Sequence, residues 1–147
     1  VSLRRGLFAV GRLDKDTEGL LLVTDDGALS HALMSPSRHV SKVYGAELDG
    51  TLVPDAAERF GAGLTLRDGT VCRPALLELL PDGRVRVTLH EGKYHQVKRM
   101  IAACGATVTF LKRVQLGGVR LDESLAPGEF RELTEEELGA LRPPDGL

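Results

Sequence analysis

Two hairpin signals and the amphipathic segment between them constrain this chain more than any other feature. "ALLELL", the turn Pro81-Asp82-Gly83 and "RVRVTLHE" form the first hairpin, and "TVTFLKRVQL", Gly117-Gly118 and "VRL" the second. Connections this short join only antiparallel neighbours. Between them, "KYHQVKRMIAACG" repeats apolar residues with helical spacing at Val97, Met100 or Ile101, and Cys104, with Gly105 placed to end the helix. The remaining segments are short. "LLLVT" reads as a strand ended by the Asp25-Asp26-Gly27 turn, and "ALSHALM" as a helix stopped before Ser35-Pro36. "HVSKVYGAEL" alternates with period two, putting Val40, Lys42, Tyr44 and Ala46 on one side. Pro54 sits at the first position of a helix over "DAAERFGAG", and Thr134 with Glu137 makes a capping box for "TEEELGAL". The class is therefore α+β, with a mixed, mostly antiparallel sheet and a few short helices.

With 147 residues, 42% of them apolar, the chain can close one ordinary core. Cys72 and Cys104 stand far apart, and His31, His39, His90 and His95 lack ligand spacing, so neither a disulfide framework nor a metal site is expected. No apolar run approaches the roughly 20 residues of a membrane span. A cytoplasmic protein with no membrane contact is expected. The chain opens on Val1 and runs straight into a charged motif, which reads as a fragment of a longer protein. Glycine-rich nucleotide cradles and a nucleophile elbow are both missing.

The net charge of −2 hides a segregation. Residues 84–113 hold seven Lys/Arg against Glu91 alone, whereas residues 121–147 hold eight acids against two arginines. A local basic face can bind a polyanion whatever the sum over the chain.

"GRLDKDTEGLLLVTDDG" packs five acids and two bases against an apolar run. Asp14 follows Arg12 and Leu13, so a cation beside a carboxylate at a cleft mouth would keep the acid ionised for nucleophilic or base work. A surface pair or a turn aspartate is the competing reading, and spacing does not separate Asp14 from Asp16, Asp25 or Asp26. Tyr44 shares a strand face with Lys42, the arrangement in which a ring stacks on a base while the cation meets a phosphate. Lys98 flanks the apolar stripe of its helix.

In order along the chain, "VGRLDKDTEGLLLVTDDG", "SKVYGAEL", "EGKYHQVKRMIAACGATV" and "LGGVRLDESLAPGEFRELTEEEL" resemble the RsuA-type family of ribosomal RNA pseudouridine synthases. The resemblance runs from about Val10 to Leu141, and "EGKYHQVKRM" is similar to the small-subunit branch. It implies a catalytic domain over residues 1–147 that isomerises one uridine of rRNA to pseudouridine, with small-subunit 16S rRNA as substrate. A large-subunit 23S target and a non-catalytic RNA-binding module of the same fold are the alternatives. The resemblance makes Asp14 the nucleophile, stacks Tyr44 on the target base and pairs Lys98 with Asp14. It sets Arg12 near the nucleotide; Lys42, from its place beside Tyr44, and Arg99, next to Lys98, are further candidate substrate contacts. It implies ribosomal RNA as partner, a monomeric state, and no metal or cofactor. It also makes "LLLVT" a central strand. Members carry an S4-like RNA-binding domain before the GRLD motif, and this chain resembles the core without it.

Overall fold

The computed structural model of the chain describes residues 6–11, 13–35 and 38–141. Its strands are β1 (Phe8–Ala9), β2 (Thr17–Gly19), β3 (Val23–Thr24), β4 (Lys42–Asp49), β5 (Leu76–Leu79), β6 (Val85–Leu89), β7 (Thr107–Leu116) and β8 (Val119–Arg120). The helices are α1 (Gly27–Met34), α2 (Ala56–Ala62), α3 (Gln96–Ala103) and α4 (Glu135–Leu141). The architecture is α+β. The main sheet runs β2-β7-β4-β6-β5, with β8 also on β7, and every pairing except the parallel β2–β7 is antiparallel.

Both hairpins form where the turns place them. The α3 stripe is buried to the last residue: Val97 is 4% exposed, and Met100, Ile101 and Cys104 are all 0% exposed. These residues join Phe60 of α2 and the inward face of β6 and β7 in the larger apolar cluster. At the chain's other end, Thr134 Oγ1 accepts from Glu137 N–H at 3.1 Å while Glu137 Oε1 accepts from Thr134 N–H at 2.9 Å, so the capping box starts α4. Asp26 caps α1 by accepting from Leu29 N–H at 3.0 Å.

Three local readings are corrected. The apolar run is not a central strand: the strand there is β2, one step earlier and at the sheet edge. Residues 20–22 belong to no strand, with Leu20 and Leu22 buried and Leu21 exposed, and Val23 then pairs with β1. Pro54 precedes its helix, because Asp55 occupies the N-cap and α2 begins at Ala56. Finally, α3 begins at Gln96 rather than Lys93, because His95 at the N-cap adopts a left-handed conformation with φ 47°.

A smaller apolar cluster gathers Val10, Leu20, Leu22, Leu33, Leu116, Val119 and Leu141, joining residues from α1, β8 and α4. β7 reaches both clusters, contributing Leu111 to the larger and Leu116 to the smaller.

Candidate active site

Where β7 passes from one cluster to the other, its inward face carries Arg113 instead of an aliphatic side chain. Arg113 is 2% exposed. The strand registers place it in a transverse row, Gly19–Arg113–Tyr44–Val87–Leu77, so an apolar row ends in a ring, a buried cation and a glycine. A bulge between Val43 and Tyr44 in the β4–β7 pairing sets Tyr44 opposite Arg113 and returns Leu116 to the inward face.

The sheet face opens here into a cleft of about 260 Å³. Asp14, Thr17, Lys42, Tyr44 and Arg113 line its floor and rim. Met34, Val40, Leu89, Val97 and Leu111 supply its apolar lining. Asp14 reaches the cleft because Thr17 N–H donates to its carbonyl at 2.9 Å, closing a turn that feeds directly into β2. Its carboxylate is partly exposed and stands 3.8 Å from His95 Nε2.

Arg113 is held by the backbone after β2. Its Nε donates to the Leu20 carbonyl at 2.9 Å, and its own carbonyl accepts from Leu20 N–H at 2.8 Å. Its Nη2 and the Thr17 hydroxyl are buried and have no hydrogen-bond partner among the described residues. A buried donor without a partner costs about 1–3 kcal/mol. Both residues line the cleft together with the Asp14 carboxylate, so a polar ligand there would meet two side chains with unmet hydrogen-bonding capacity.

The ionisable groups respond to this setting. Burial, and then the Arg113 charge, hold Lys42 below the ordinary lysine range, with Glu91 opposing. Burial pushes the Tyr44 hydroxyl up; Arg113 opposes that shift and Asp14 adds to it. The phenol therefore stays neutral and its ring remains an apolar platform.

Glu91, Gly92 and Lys93 line the far rim, and Tyr94 and His95 continue the same loop. Glu91 accepts from Arg73 N–H at 2.8 Å and from Gln96 Nε2 at 2.7 Å, and Gln96 Oε1 accepts from Lys93 N–H at 3.0 Å. Arg99 closes the knot by donating to the Tyr94 carbonyl at 3.1 Å and to Asp68 at 2.6 Å.

Of the residues singled out from the sequence, the cleft brings together Asp14, Tyr44 and Lys42. Arg12 lies outside the described residues. Lys98 lines a neighbouring recess with Asp16, Thr109 and Phe110, and makes no ion pair with Asp14 among the described residues. Arg99 is turned toward Asp68. Sequence reasoning missed Arg113, Thr17 and His95. A basic residue two positions after Leu111 in an alternating strand was the available signal for Arg113.

Comparisons with known proteins agree on the family. A family model described as RNA pseudouridylate synthase matches residues 2–103. The chain is 48% identical over 136 residues to the ribosomal small subunit pseudouridine synthase A of Escherichia coli (strain K12), an alignment covering 92% of this chain and 59% of that protein. It is 46% identical over 141 residues to an uncharacterized RNA pseudouridine synthase of Bacillus subtilis (strain 168), covering 93% of this chain and 59% of the relative. A crystal structure of a pseudouridylate synthase superposes with a TM-score of 0.89 at 45% identity, over 93% of this chain and 60% of the other. An H/ACA RNP bound to a substrate RNA containing 2′-deoxyuridine shares the fold, with a TM-score of 0.61 at 23% identity over 82% of this chain and 41% of the other. The chain thus spans about three fifths of the length of its curated relatives.

Proposed function

Because the chain belongs to the RNA pseudouridylate synthase family, we propose that it isomerises a uridine of ribosomal RNA to pseudouridine, with Asp14 as nucleophile and small-subunit 16S rRNA as substrate. One observation carries the reading: a partly exposed carboxylate, an aromatic ring and a buried cation with an open donor line one cleft. The 48% identity to a small-subunit enzyme supports the choice of substrate.

A uridine reaches Asp14 only after leaving its stack, at a cost of a few kcal/mol. The Tyr44 ring offsets this by stacking on the extruded base. Arg113 Nη2 and the Thr17 hydroxyl take up oxygens of the nucleotide, which satisfies the two buried donors. Asp14 then acts on the ribose, by attack at C1′ or by removal of the C2′ proton. The N1–C1′ bond breaks, the base turns within the cleft, and C5 bonds to C1′. C5 gives up its proton to solvent and N1 gains one. No atom is added and no electron leaves, so the balance requires no cofactor.

Lys42, at the cleft rim, meets a flanking phosphate, and Arg12 is assigned to the same backbone. In this reading Arg113 is the cation that works beside Asp14, while Lys98 and Arg99 contribute to the basic surface over residues 84–113. Residues 1–147 act as the catalytic domain, as a monomer in the cytoplasm.

Incubation of the chain with 16S and 23S rRNA transcripts, followed by chemical mapping of pseudouridine, tests the substrate. One new pseudouridine in the 16S transcript is expected. Modification of 23S alone would overturn the small-subunit assignment, and modification of neither would leave an RNA-binding module.

A further inference from the structure

The rim loop holds a feature that the reaction leaves unused. Tyr94 is 72% exposed, an unusual position for one of only two tyrosines in a chain without tryptophan. The exposure does not come from a loose segment. Glu91 and Gln96 tie the loop internally, and Arg99 holds the Tyr94 carbonyl itself. One face of the ring is already occupied: it stacks on His95 with centroids 3.8 Å apart and planes inclined by 20°. The other face is open. His95 in turn reaches back to the Asp14 carboxylate.

A rigid backbone therefore presents one free aromatic face, separated from the nucleophile by a single imidazole ring. Lys93, whose side chain is 40% exposed and whose ammonium stands 3.7 Å from Glu91 Oε1, belongs to the same loop and lines the cleft. An open ring face with a cation beside it is the combination that holds a nucleobase and its phosphate. Pre-ordering of the loop removes much of the entropy loss that a mobile side chain would suffer on binding. We propose that Tyr94, backed by His95, is a stacking platform for a nucleobase next to the uridine held in the cleft. The platform reads the RNA flanking the target and rests on the functional reading above. Tyr44 and Tyr94 thus hold two different bases, one inside the cleft and one on its rim.

The test is equilibrium binding of a 16S rRNA transcript by the parent chain, Tyr94→Ala and Tyr94→Phe at several salt concentrations, with pseudouridine mapped in parallel. Loss of base stacking should weaken binding about tenfold or more in Tyr94→Ala. Tyr94→Phe should stay within about twofold of the parent, because the ring face is retained. The slope of log K against log salt should be the same for all three, since a lost phosphate contact would shift it by about 0.7–0.9. Parent-like binding by Tyr94→Ala, failure of Phe to rescue, a changed salt slope, or no binding by the parent would each overturn the platform. The mapping keeps the two ideas apart. An active parent whose Tyr94→Ala variant binds normally sinks the platform alone. The expected binding series in a chain that forms no pseudouridine sinks the reaction and leaves the platform standing.

Discussion

Replacing Gly19 with alanine should damage the site from behind. Gly19 has φ +113°, a region that side-chain-bearing residues rarely adopt, and holding alanine there costs about 1–3 kcal/mol. A Cβ at this position would overlap the Arg113 carbonyl oxygen and fall 2.6 Å from its nitrogen and 2.9 Å from its carbonyl carbon. All three are backbone atoms of the long strand β7, so β2 must move. Moving it breaks the Leu20 N–H bond to Arg113, worth about 1 kcal/mol, and the bond from the Arg113 guanidinium to the Leu20 carbonyl, worth about 1.5–3 kcal/mol because the donor is charged. Together these amount to about 4–7 kcal/mol, against about 7–22 kcal/mol for a chain of this length. The variant should fold but unfold at much lower urea. Asp14 is tied to β2 through its turn with Thr17, so the carboxylate moves as well, and a displacement near 1 Å can lower turnover about a hundredfold. Urea titration combined with pseudouridine mapping measures both effects. A stability loss below about 1 kcal/mol, or parent-like turnover, would show that β2 does not hold the nucleophile in place.

Arg113→Met should cost at most about 1.5–3 kcal/mol of stability, the worth of the lost guanidinium bond to the Leu20 carbonyl, yet lower kcat by at least about a hundredfold. Lys98→Met should lower kcat less than about tenfold; the reverse order, read from single-turnover kinetics on the 16S transcript, would return the role to Lys98. At the C-terminal end, the Arg131 guanidinium, followed by the Thr134 amide, pulls the Glu137 carboxyl down to about 2. The unfolded carboxyl titrates near about 4.3, so this stabilisation is complete above that pH and is lost as the pH falls toward about 2. Thermal unfolding from pH 6 to 2 should therefore fall less steeply for Glu137→Gln than for the parent, and parallel curves would refute the assignment.

Elements defined by local chemistry were legible in the sequence. The two hairpins, the α3 stripe and the Thr134–Glu137 box depend on residues a few positions apart. β2 was not legible, because its partner Leu111–Arg113 lies more than ninety residues away and a three-residue parallel edge leaves no periodic trace. The stretch Leu20 to Leu22 looked like a strand because it is a solid apolar run ended by a turn, and the core does bury Leu20 and Leu22, but outside any strand. Arg113 was hidden among the basic residues of its segment. Its burial arises only when β2 and β4 flank it and the inward face of β7 passes between two apolar clusters. The left-handed His95 was equally hidden, since that conformation normally announces itself through glycine or asparagine. Asp14 and Tyr44 were reachable through motif resemblance, and the fold explains their meeting: one feeds β2, the other lies on β4, and β7 runs between them.

The central claim is that Asp14, and not its neighbour Asp16, is the carboxylate that acts on the ribose. Asp14→Asn and Asp16→Asn differ by one atom type at two sites, one lining the cleft and one the adjacent recess. Single-turnover pseudouridine formation on the 16S rRNA transcript should fall by several orders of magnitude in Asp14→Asn, with RNA affinity and thermal stability retained, and should stay within about tenfold of the parent in Asp16→Asn. Asp14→Asn turning over at more than about a tenth of the parental rate, or Asp16→Asn being the silent variant, would contradict the account.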